Sequence, residues 1–150
     1  MDGPSGCRLV RYGKAERIAI ILGAADGLTL ALSEIMGLRG QPDIFRSGLS
    51  AGLGELVGMT AALWLSADDR KGFLTALGCG AATLLGCVLP CIPYAAGDGV
   101  FSLAAALVIM VVLGGVVCRL RPEKGVLAIA ETYGVLAGAG LLCFAASLIR

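Results

Sequence analysis

Four carboxylates interrupt otherwise apolar stretches of this 150-residue chain, Asp26, Glu34, Glu55 and Glu131, and no Lys or Arg lies in the interior of those stretches. An acid of this kind needs a proton, a hydrogen bond, water or a cation brought from outside. Cation or proton translocation is the chemistry such a set points to. Asp26 falls about nine residues in from the cytoplasmic end of the first stretch and Glu55 about nine residues in from the far end of the second, which puts both near the middle of a membrane at about 1.5 Å of helix rise per residue. Met59 follows Glu55 by one helical turn on the same face. Two carboxylates and a thioether converging on one ion combine hard oxygen with softer sulfur, a donor set that leans towards divalent iron or manganese. Gly23 and Gly27 flank Asp26, and Gly52, Gly54 and Gly58 surround Glu55, so small residues permit close helix approach beside each acid. Glu34 is two turns outward from Asp26 and rotated by about 80°; it is read as a fourth metal-site residue, the third carboxylate, that lines an exit path or reaches the interface. Glu131, beside Thr132 and Tyr133, is read as a proton-coupling or path residue, with a local structural role as its alternative.

Elements must hold these groups in place, and the composition says what kind. Charged residues make up 15% of the chain and hydrophobic ones 57%, against roughly 25% charged in an ordinary soluble domain. Disorder and a soluble fold are excluded on that basis. Five apolar runs, at about 17–38, 46–66, 73–95, 99–119 and 125–149, are each long enough for a span of about 20 residues. The expected fold is therefore an all-α integral membrane protein with five transmembrane helices, a single domain over residues 1–150. Pro90 and Pro93 should break or unwind the third helix near its far end.

Counting Lys and Arg on alternate sides sets the orientation. One side holds Arg8, Arg11, Lys14, Arg17, Arg70, Lys71, Arg119, Arg121 and Lys124; the other holds Arg39, Arg46 and Arg150. The N-terminus is thus expected in the cytoplasm and the C-terminus on the opposite side. A net charge of +1 gives no reason to expect a nucleic-acid partner, and the absence of His removes imidazole ligation and imidazole acid–base chemistry. The six cysteines, Cys7, Cys79, Cys87, Cys91, Cys118 and Cys143, lack zinc-site or disulfide-framework spacing and read as reduced, buried thiols. Cys87 and Cys91 share a helical face, which leaves redox or thiolate metal chemistry as a minor alternative.

Three segments carry a family resemblance. "LGAADGLTLALSEIMGL" resembles the first-helix motif of the vacuolar iron transporter family, an Asn-Asp-Gly-Leu core followed by a small-residue helix. "GMTAALWLS" is similar to that family's second-helix motif, Ser-Met-Ala-x-Gly-Glu-Tyr-x-Ser, and "LPCIPY" with the Ala-rich helix after it is similar to the junction of its third and fourth helices. The likeness runs over most of the chain in order. It implies a homodimer that exports ferrous iron or manganese from the cytoplasm in exchange for protons, with Asp26 and Met59 lining the ion path. Ala25 stands where the family has Asn, Gly58 where it has Ser, and Leu63 and Trp64 where it has Glu-Tyr. The missing carboxylate would then be supplied by Glu55 or Glu34. The loop "ADDRKG" leaves no room for the Glu-rich cytoplasmic domain found in many members, so the chain resembles a compact form.

The expected function is a proton-coupled exporter of divalent metal, with the ion as substrate, no resident cofactor and no covalent catalysis. Its expected setting is the lipid bilayer of a bacterial inner membrane, or an organellar membrane in a eukaryote. The competing expectation is a noncatalytic membrane assembly or scaffold protein that kept the fold and lost transport.

Overall fold

The computed structural model describes residues 13–38, 43–66, 71–121 and 125–148. Cys7, Arg8, Arg11, Arg39, the Asp68–Asp69 pair, Arg70, Lys124 and Arg150 lie outside the described residues. Five α-helices follow one another: α1 Lys14–Gly37, α2 Ile44–Leu65, α3 Lys71–Cys91, α4 Val100–Leu120 and α5 Val126–Ser147. Each is long and apolar enough to cross a membrane, and no strand occurs among the described residues. The ends agree with the hydropathy runs to within a few residues. Glu16 helps to fix the start of α1, where its carboxylate accepts the Gly13 N–H at 2.8 Å and meets the unpaired amides of the first turn.

The proline effect comes one turn later than Pro90. That residue is fully buried inside α3, and the helix tightens into a 3-10 segment, Ile92–Ala96, only beyond Cys91. Pro93 lies at the start of this segment, where a missing N–H costs little. The Ser102 hydroxyl then reaches back from α4 to the Gly97 carbonyl at 2.5 Å, tying the turn to the next helix.

The packing is centred on α3. It makes its most extensive contacts with α1 and α2, while α1 and α2 touch each other far less. Small residues explain the closeness. On α3, Cys79, Thr83, Cys87 and Cys91 recur every fourth position and all have 0% exposure, forming one narrow ridge. Against it α1 sets Gly23 and Gly27: a Cβ on Gly27 would lie 2.9 Å from the Cys87 backbone nitrogen and closer still to the Thr83 carbonyl oxygen. Across from them, a Cβ on Gly80 of α3 would collide with the Leu56 carbonyl and the Thr60 hydroxyl of α2. Backbone meets backbone at both places, so only glycine fits.

A second cluster joins the far ends of α1, α2 and α4 through Leu28, Leu32, Ile35, Ile44, Tyr94, Ala106 and Met110. α5 is peripheral, with Ala128 as its one buried hydrophobic residue among those described. Large side chains such as Val57, Leu74, Val108 and Leu141 point outwards and are 63–72% exposed. Lipid is the solvent that such a surface requires.

Candidate functional site

Asp26 lies near the middle of α1 and is half-buried. It does not face α3, because its neighbour Gly27 occupies that position. Instead it belongs to a stripe Leu22, Asp26, Thr29 and Ser33, spaced four, three and four residues apart, that no other helix covers fully. Leu22 is 53% exposed and Ser33 is exposed. The Thr29 hydroxyl donates to the Asp26 backbone carbonyl at 2.8 Å, whereas the Asp26 carboxylate has no partner among the described residues. Three polar side chains therefore run down an outward face whose remaining members are apolar.

Glu55 lies near the middle of α2 and is also half-buried. Its carboxylate folds along its own helix over Gly58, where a Cβ would stand 4.0 Å from Oε2. Glu55 has no hydrogen-bond or ionic partner among the described residues, and Met59 is half-buried one turn further on.

Among the described residues no three Cys, Asp or Glu side chains come close enough to hold one metal ion.

Glu34 and Glu131 are held differently. Ser47 of α2 donates its hydroxyl to Glu34 Oε2 at 2.5 Å, which joins the far end of α1 to the start of α2. Glu131 has a base after all: Arg121, at the end of α4, meets its Oε2 at 2.6 Å. The same guanidinium donates to the Ala128 carbonyl and the Thr132 hydroxyl, both at 3.2 Å. The expectation that all four acids lack a basic partner is corrected here. Arg121 was assigned to topology, and its ten-residue separation from Glu131 hid the pair. Thr29 and Ser33 were also missed, although their spacing from Asp26 was readable as one helical face.

Cys79, Cys87 and Cys91 are free and buried, and Cys118 and Cys143 are free and half-buried. Cys87 points its Sγ at the Gly48 carbonyl at 3.3 Å. Cys79, Cys87 and Cys91 serve as small packing groups on the α3 ridge.

No family model, curated protein or solved structure matches the chain.

Proposed function

We propose that the chain is a divalent metal cation transporter that moves ferrous iron or manganese out of the cytoplasm in exchange for protons. One observation carries the reading: Asp26, a carboxylate with no partner among the described residues, lies mid-helix on an outward stripe with Thr29 and Ser33. Leaving an acid at that depth costs about 2.5–3.5 kcal/mol on insertion scales, a cost that an ion path would explain. Glu55 and Met59, the resemblance of the first two helices to the vacuolar iron transporter family, and the hard-and-soft donor set all support the same function.

A single chain brings no three Cys, Asp or Glu side chains together among the described residues, so in this reading a second copy covers the α1 stripe and the ion takes ligands from both. Glu34 then belongs to the exit side. Glu131 keeps Thr132 and Arg121 in a network that could pass a proton at the other end.

The same lack of a three-ligand cluster favours a second reading, a membrane assembly protein that retained the fold without transport. Reconstitution into liposomes separates the two. Ferrous iron, manganese, zinc and calcium are supplied one at a time while internal pH is followed. Flux of iron or manganese with opposite proton movement is expected; folded protein that moves none of the four would favour the assembly reading.

A further inference from the structure

Two of the four described arginines are paired, Arg46 with Asp43 and Arg121 with Glu131. Arg17, in the first turns of α1, and Arg119, in the last turn of α4, have no acidic or hydrogen-bond partner among the described residues. Both are exposed, and both line one pocket of about 300 Å³, whose other walls are Ile20 and Leu120. Two guanidinium groups with no acidic partner among the described residues, set against apolar walls at the ends of two spans, form a cationic site suited to headgroup depth.

Arg119 also stands at the rim of a larger cleft, of about 920 Å³, on the outer side of α4 and α5. Gly115, Cys118, Val126, Ile129 and Tyr133 line it. Gly114 and Tyr133 account for its shape: the Tyr133 ring packs where a Gly114 side chain would be, and its hydroxyl donates to the Val111 carbonyl at 2.7 Å. The cleft is apolar apart from its arginine rim and runs from headgroup depth into the span.

We infer that Arg17 and Arg119 bind the phosphodiester of an anionic phospholipid, one acyl chain of which lies in the cleft between α4 and α5. Guanidinium offers paired N–H donors that match phosphate oxygens. Two such groups favour a headgroup with net negative charge, because the ammonium of a zwitterionic lipid would be repelled by the second arginine. Apolar walls beside the charges favour a lipid over free phosphate. Positive charge is also expected on this face from the Lys and Arg count, and anionic lipid concentrates on the cytoplasmic side. The site is separate from the Asp26 stripe and stands whether or not the chain transports metal.

The test is native mass spectrometry of the full-length protein in detergent, titrated separately with phosphatidylglycerol, phosphatidylcholine and inorganic phosphate. Phosphatidylglycerol should be retained with at least about tenfold preference over phosphatidylcholine, and Arg17→Gln/Arg119→Gln should remove that preference. Arg17→Lys/Arg119→Lys should recover part of it, since charge returns without the paired donors. Thermal unfolding of each variant confirms that loss of binding is not loss of fold. Equal retention of the two lipids, or undiminished phosphatidylglycerol binding by the folded double Gln variant, would overturn the inference. Inorganic phosphate retained as tightly as phosphatidylglycerol would overturn it as well.

Discussion

Asp26 and Glu131 each interrupt an apolar helix with a carboxylate, and their surroundings are opposite. Glu131 sits about one and a half turns into α5, where Arg121 can reach it from the end of α4 and where Thr132 and the Ala128 carbonyl complete the guanidinium's bonds. Asp26 sits near the middle of α1, on a face shared with Thr29 and Ser33, and no base or donor meets its carboxylate among the described residues. Depth explains the difference. Near a helix end a long side chain from a neighbouring linker can supply charge, and the pair stays partly hydrated. At mid-depth no base or donor among the described residues reaches the carboxylate. The acids near helix ends join neighbouring helices, and under the proposed function those in the middle serve the ion.

Ways to break this contrast differ in size. The largest effect is expected at Gly27, where any side chain meets the α3 backbone: Gly27→Leu should prevent the α1–α3 contact and yield no monodisperse protein on size-exclusion chromatography. A folded, transport-competent Gly27→Leu protein would show that the packing described for α1 is wrong. Glu55→Gln should keep the fold and lower metal flux about tenfold, because it removes a charge that the fold itself does not use. Unchanged flux would confine the ion path to α1. Arg121→Gln should lower thermal stability by about 0.5–1 kcal/mol, a modest loss since the pair is partly exposed. It should leave iron or manganese flux within about twofold at neutral pH if the Arg121–Glu131 pair is structural. The smallest effect belongs to the α3 thiols. A membrane-permeant maleimide should label Cys118 or Cys143 before Cys79, Cys87 or Cys91, as read by peptide mass mapping, with flux unaltered. Early labelling of Cys87 would reveal an opening on the α3 ridge.

Much of this was legible along the chain. Five apolar runs bounded by charges gave the spans, since about 20 residues of low polarity have few other uses. Depth of the acids followed by counting residues. Which glycines matter was not legible, because 23 of them occur and only the fold decides that Gly27 meets backbone while Gly54 meets nothing within 4 Å. The end of α3 was legible too, since Pro90 and Pro93 marked a change of winding there and the helix gives way to a 3-10 segment at Ile92. Arg121 was visible, but as a topological charge. Its bond to Glu131 depends on how α4 and α5 turn towards each other, which spacing alone does not express. The outward direction of Asp26 became clear only once Gly23 and Gly27 were seen to point at α3.

Under the proposed function Asp26 serves an ion and not the fold. Asp26→Asn, reconstituted in liposomes beside the unaltered protein and matched for thermal stability, tests it most directly. Iron or manganese flux should fall to the level of empty liposomes while stability is unchanged or raised, since a neutral amide is cheaper to bury than a carboxylate. Full flux by the Asn variant, or collapse of the fold in its absence of charge, would contradict the account.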